Sequence, residues 1–143
     1  PTPIMTYYEL KFLEAEAKQK TEDDTWITAL EEAIEASFLS KGLTSEEAET
    51  YFTDVVTPLL TDNELNEILI QKYIAMYEAE AMESYHDYRR TGVPTMNNPN
   101  NTTKGFIHRL PFALSDVSSN GENVPNVNIF SDKVWWAGGQ EKL

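Results

Sequence analysis

Cysteine is absent from this sequence. That excludes a disulfide framework, thiolate catalysis and cysteine-ligated zinc or iron–sulfur centres, and says little about compartment. Long apolar runs are missing too. No stretch of about 18 apolar residues occurs, so no segment reads as a membrane-spanning helix. No charged segment followed by an apolar one reads as a signal peptide. The chain opens on Pro1-Thr2-Pro3 rather than Met, which points to a mature or trimmed piece of something longer. Basic charge is scarce: 11 Lys and Arg stand against 24 Asp and Glu, for a net charge of −13. So acidic a surface repels phosphate backbones and anionic lipid heads, which argues against nucleic acid as a partner. Solubility accounts for the acidity. Catalytic signatures are also lacking. There is no G-x-S-x-G elbow, no Walker loop and no G-x-G-x-x-G.

What remains is 143 residues, enough for one domain with a core. All of the excess negative charge lies in residues 1–90; residues 91–143 are balanced. The same boundary separates two kinds of sequence, a helical zone over 1–91 and an irregular one over 92–143. In Met5–Lys18, apolar residues at Met5, Tyr8, Phe12 and Ala15 predict one helix face, and Pro3 is tolerated at such a start. Thr25 reads as the N-cap of a second helix carrying Trp26, Leu30, Ala33, Ile34 and Phe38, with Gly42 as its stop. The small Ala29, Ala33 and Ala36 allow close helix approach. The two helices form a hairpin the size of one tetratricopeptide unit. Thr44 to Glu47 reads as a capping box for a third helix that Pro58 ends or kinks. A fourth helix, expected to be the longest, starts at Asp62 or Asn63 and runs to about Thr91. Its stripes are Ile70, Ile74, Tyr77, Ala81 and Tyr85, and Leu65, Leu69, Tyr73 and Met76. Gly92 and Pro94 forbid its continuation.

In 92–143, 24 of 52 residues are Gly, Pro, Asn, Ser or Thr, and "NNPNNTT" is turn chemistry. Phe106, Ile107, Leu110, Phe112, Phe130, Trp135 and Trp136 are nevertheless too many large apolar groups for a disordered tail. The expectation is an ordered, irregular segment packed on the helices, whose asparagines satisfy local backbone groups.

The stretch "SYHDYRRTGVP" (Ser84–Pro94) crowds His86, Asp87, Arg89 and Arg90 together. A metal site on His86, His108 and a carboxylate lacks helical ligand spacing. Paired glutamates for glycoside hydrolysis find no support beyond their abundance. The stretch reads as a helix end: Tyr85 and Tyr88 pack, Asp87 pairs with one arginine, and the cations suit the helix dipole. Trp135-Trp136 is a candidate ligand platform, because sugars stack on aromatic faces; the rival reading is a tail anchor.

Several blocks resemble the SusD/RagB family. "PIMTYYELKFLEAEA" (Pro3–Ala17) resembles its "pLMTYAE…FLxAEA" helix. "ILIQKYIAMY" (Ile68–Tyr77), with Gln71 and Tyr73, is similar to "I…QKWIAL". "ESYHDYRRTGVP" (Glu83–Pro94), with Tyr85, Asp87, Tyr88, Arg89, Arg90, Gly92 and Pro94, resembles "EAWxDWRRTGYP". "IHRLPF" (Ile107–Phe112) resembles "IPRRLPYP", followed by an Asn-rich stretch, and "KVWW" (Lys133–Trp136) resembles the closing "VWWD". The blocks keep family order. Tyr73, Tyr85 and Tyr88 stand in place of tryptophans, Val93 in place of tyrosine, Leu114 in place of proline and Ala137 in place of an acid.

The resemblance implies a mainly α fold, SusD-like, with tetratricopeptide-like helical pairs and a long irregular C-terminal segment. It implies the C-terminal portion of a longer protein and no enzyme. It implies capture of an oligosaccharide, or in some members a peptide, on the outer face of the outer membrane. The partner would be a SusC-like TonB-dependent transporter, with no cofactor. Membrane attachment would run through a lipid anchor on an N-terminal cysteine that this chain does not carry. Two rivals stand beside this reading: a tetratricopeptide-like peptide-binding module, and a small acidic hydrolase.

Overall fold

The computed structural model describes residues 4–61, 63–96 and 105–139. The roles expected of Pro3, of Asp62 and of "NNPNNTT" (97–103) lie outside those residues. The fold is mainly α, and there is no strand among the described residues. The chain divides into two compact units, Pro1–Tyr88 and Arg89–Leu143.

In the first unit α1 covers Tyr7–Lys20. Thr6 caps it by accepting the Glu9 N–H at 3.2 Å. Helix α2 covers Trp26–Ser40. Thr25 precedes it but makes no side-chain cap; its N–H and hydroxyl instead donate to Asp23 Oδ1 at 2.9 and 2.7 Å. Gly42 takes the left-handed conformation (φ 81°) beyond the end of α2, a backbone that glycine adopts without a Cβ clash. Helix α3 is short, Ser45–Tyr51, and starts on the Thr44–Glu47 capping box. It passes into a π turn over Phe52–Val56 and a 3-10 turn over Thr57–Leu59, the latter containing Pro58.

The expected long fourth helix is two helices. Helix α4 covers Glu64–Met76, capped by Asn63, and α5 covers Ala81–Thr91. Nothing local breaks the chain at Tyr77-Glu78-Ala79-Glu80, which is good helix-forming sequence. The break is held by distant partners. Lys41 Nζ meets Glu78 at 2.6 Å, and Thr6 Oγ1 donates to Glu80 Oε2 at 3.3 Å.

Helices α1, α2 and α4 enclose the core, with Phe12, Leu30, Ile34, Val56, Ile68 and Met76 fully buried. Burying a side chain of this size contributes about 1.5–3 kcal/mol. Of the two apolar stripes, the second supplies Leu69 and Met76 to the buried face of α4, while Ile74 and Tyr77 of the first lie outside it. Ile74 is 52% and Tyr77 73% exposed, whereas Glu67, Gln71 and Lys72 are buried beside Ile68, Ala75 and Met76. Those polar groups tolerate burial because each has a partner.

The second unit is irregular apart from a helix, α6, over Leu114–Asn120, and 3-10 turns over Gly121–Asn123 and Trp135–Ala137. Helix α6 lies where no helix is expected. Ser118 and Ser119 hydroxyls donate to the Leu114 and Ser115 carbonyls at 2.8 and 2.7 Å, so the serines bond along the helix rather than against it.

Candidate functional site

The residues singled out in the sequence fall into two groups, one in each unit. In the first, Gln71 lies on the buried face of α4. Its amide Nε2 donates to Glu67 Oε1 at 2.7 Å, and its Oε1 accepts from the Tyr51 hydroxyl at 3.0 Å. One turn of helix therefore joins α3 to α4 through a closed polar chain. Lys72 Nζ lies 2.7 Å from Asp87 Oδ2, which ties α4 to α5. Asp87 was expected to pair with an arginine; Lys72 is a partner the sequence did not suggest. Tyr73, Tyr85 and Tyr88 are half-buried. His86 Nδ1 sits 3.6 Å from Glu83.

The second unit begins at Arg89. Its Nε–H donates to the His108 carbonyl at 2.7 Å, and its guanidinium carbon lies 4.7 Å from the centroid of the Trp136 ring. The planar, weakly hydrated guanidinium suits both contacts at once. His108 N–H in turn donates to the Ile129 carbonyl at 2.8 Å, and its ring stands edge-on to Phe106. Arg89 thus gathers two separate stretches of irregular chain, and His108 links a third. Arg90 is exposed. Gly92 takes a left-handed backbone (φ 78°), the Val93–Pro94 peptide is cis, and Val93 N–H donates to Thr91 Oγ1 at 3.1 Å.

The tryptophan pair is divided by this geometry. Trp136 lies against Arg89, while Trp135 is 67% exposed. The turn that carries them is tightly constrained. Gly139 N–H donates to the Val134 carbonyl at 3.0 Å. A Cβ on Gly139 would overlap the Lys133 carbonyl and stand 2.9 Å from the Val134 oxygen. Gly138 is left-handed (φ 82°). An exposed indole on a stiff turn offers an apolar stacking face with little conformational freedom left to lose.

No group of three or more His, Cys, Asp or Glu among the described residues is placed to hold a metal ion. No described helix is long and apolar enough to cross a membrane. Sequence reasoning missed Glu67, Lys72 and Tyr51. The available signal was the spacing of Glu67, Gln71 and Lys72, which share the helix face of Ile68 and Ala75.

The architecture is that of a mainly α protein in which short helices frame a core and an irregular aromatic-rich unit follows. The family described as starch-binding and associating with the outer membrane, SusD-like, matches residues 1–112. A solved SusD/RagB family protein from Bacteroides thetaiotaomicron is similar at 35% identity and a TM-score of 0.83. That match covers 99% of this chain and 36% of that chain, so the present chain spans little more than a third of that relative's length. No curated protein sequence matches. The chain belongs to the SusD/RagB family.

Proposed function

We propose that this chain is the C-terminal portion of a non-enzymatic binding protein that captures a glycan at the outer face of the outer membrane. A TonB-dependent transporter would receive the cargo, and a lipid anchor outside this chain would hold the protein at the membrane. The observation that carries the reading is the family match over residues 1–112, in a family described as starch-binding and associating with the outer membrane. The α1–α2 hairpin, read as a tetratricopeptide-like pair, supplies scaffold. Trp135 is the residue assigned to ligand: it is exposed, aromatic and fixed on a constrained turn, whereas Trp136 anchors that turn through Arg89. Stacking on a single aromatic face is worth about 0.5–1.5 kcal/mol, so Trp135 would be one contact among several.

Calorimetric titration with starch oligosaccharides, other glycans and oligopeptides tests the reading. The expected result is glycan binding that weakens severalfold in Trp135→Ala and is unchanged in Arg90→Ala. Binding of peptides but not glycans would move the cargo to the peptide class. Binding of neither would overturn the proposal.

A further inference from the structure

Glu9 and Glu80 are both buried in the first unit, at 4% and 7% exposure. They come from different elements, Glu9 from the first turn of α1 and Glu80 from the link between α4 and α5. One hydroxyl joins them. Thr6 Oγ1 accepts from the Glu9 N–H at 3.2 Å and donates to Glu80 Oε2 at 3.3 Å. A threonine has a single hydroxyl proton, and this one is committed to Glu80. Glu9 Oε2 and Glu80 Oε1 have no hydrogen-bond partner among the described residues, and neither has the hydroxyl of Ser84, buried one helical turn beyond Glu80. Buried acceptors without donors are costly.

The surrounding charge does not relieve the two acids. Lys72 reaches Glu9 through its field, but its ammonium is paired with Asp87 at 2.7 Å. Glu83 adds repulsion on Glu9. Lys41 feels Glu80 but is bound to Glu78 at 2.6 Å. Carboxylates outnumber ammonium groups around the pair, and the two lysines within reach are each engaged. Converting one carboxylate to a carboxylic acid removes the like-charge repulsion and creates the missing donor in a single step.

We propose that the Glu9–Glu80 pair retains one proton at neutral pH, and that this proton latches the start of α1 to the α4–α5 link. Glu9 is the side that holds it, because burial first, and the charge of Glu80 second, push its carboxyl above the ordinary range. The latch explains why a helix-forming stretch is interrupted at Glu80. The link is held to α1 by Thr6 and by the proton on Glu9, and the pair repels once that proton leaves as pH rises. The linkage sign follows. The folded state keeps a proton that the unfolded chain has lost, so stability declines as pH climbs from the ordinary carboxylate range through the raised value.

Two measurements on the whole chain test this. The first is side-chain carboxyl carbon NMR, titrated with pH, with Glu9→Gln and Glu80→Gln supplying the assignments. One of the two groups should remain protonated at pH 7. The second is denaturant unfolding from pH 5 to 8.5. Glu9→Gln supplies a permanent donor, so its folded-to-unfolded ratio at pH 8 should exceed that of the parent severalfold, and the difference should vanish near pH 5. Glu80→Gln should act in the same direction, and it keeps the stability arm informative should Glu9→Gln not fold. Both carboxyls ionised at pH 7, or variant and parent profiles that run parallel, would overturn the latch. A parent stability at pH 8 that rises specifically with added potassium or calcium would assign a cation in place of the proton, and would equally overturn it.

Discussion

Lys72 Nζ and Asp87 Oδ2 stand 2.7 Å apart, with the lysine side chain 4% and the aspartate side chain 19% exposed. This ion pair joins α4 to α5, and its lysine end is almost out of water. Removing one partner of such a pair leaves a buried charge uncompensated, whereas replacing the charge by an apolar group of similar length does not. Asp87→Ala should therefore lower unfolding stability by about 3 kcal/mol. Lys72→Met should cost clearly less. Equal losses from the two variants, read by denaturant melts, would contradict this asymmetry.

Arg89 and Arg90 are chemically identical and adjacent, yet they differ in exposure. Arg89 serves the His108 carbonyl and the Trp136 face, while Arg90 is exposed. Arg89→Ala should cost about 2 kcal/mol, the sum of a charge-assisted hydrogen bond and a cation–π contact. Arg90→Ala should cost less. Arg89→Lys should fail to restore stability, because an ammonium cannot present Nε–H to a carbonyl and a planar face to an indole together. Thermal melts of the three variants decide the order.

The difference between the arginines shows where the sequence stops being informative. Two consecutive helical residues point about 100° apart, so one was bound to differ from the other. Which one mattered depended on a main-chain carbonyl 19 residues away, and a carbonyl has no letter in the sequence. The α1–α2 hairpin was readable because its buried residues Tyr8, Phe12, Leu30 and Ile34 are apolar and periodic. The end of α5 at Thr91 was readable because Gly92 and Pro94 act locally. The break between α4 and α5 was not, because Thr6 lies 74 positions from Glu80. The buried face of α4 was readable only in part for a related reason: Leu69 and Met76 are apolar, but Glu67, Gln71 and Lys72 are polar letters whose partners make them core residues. At the candidate site, the sequence set Trp135 and Trp136 side by side. Only the fold shows that Trp136 meets an arginine and that Trp135 is the more exposed ring.

The Thr44–Glu47 capping box makes a local prediction. Thr44 Oγ1 accepts from the Glu47 N–H at 3.3 Å, and the Thr44 N–H donates back to Glu47 Oε2 at 2.8 Å. Thr44→Ala should destabilise the protein by about 1 kcal/mol, and Thr44→Ser should recover most of it. Loss of helical circular dichroism confined to a few residues would accompany the alanine variant. No change in stability would mean that α3 is set by packing of Ala48 and Phe52 alone.

On the surface of α1, Glu14 sits between Lys11 at 2.9 Å and Lys18 at 2.7 Å, while Lys11 also meets Glu32 of α2 at 2.7 Å. Hydrogen bonds from the two lysines hold the Glu14 carboxyl down at about 2. Its stabilising contribution is thus complete above the ordinary carboxylate range and is lost as pH falls toward about 2. Glu14→Gln should remove that contribution at neutral pH and flatten that part of the acid unfolding profile, so that variant and parent converge as pH falls toward about 2. Because the group is exposed, added salt should shrink the difference. An acid limb that is identical with and without Glu14, at low salt, would remove this network from the account.

The turn that presents Trp135 offers the most direct separation of shape from chemistry. Gly139→Ala places a methyl group against the Lys133 carbonyl, which is main chain and cannot rotate away. The Val134–Gly139 hydrogen bond should be lost, and the Trp135 indole should lose its fixed orientation. Gly42→Ala is the control. Its backbone is left-handed (φ 81°), unlike that of Gly139, and it has open space around the added Cβ, so it carries only a conformational cost of about 1 kcal/mol. Time-resolved tryptophan anisotropy should therefore rise in mobility for Gly139→Ala and not for Gly42→Ala. If glycan affinity falls in Gly139→Ala as far as in Trp135→Ala, while the helical core melts where it did before, orientation of the ring is what the turn supplies. If affinity falls in Trp135→Ala alone, the indole binds without needing the turn.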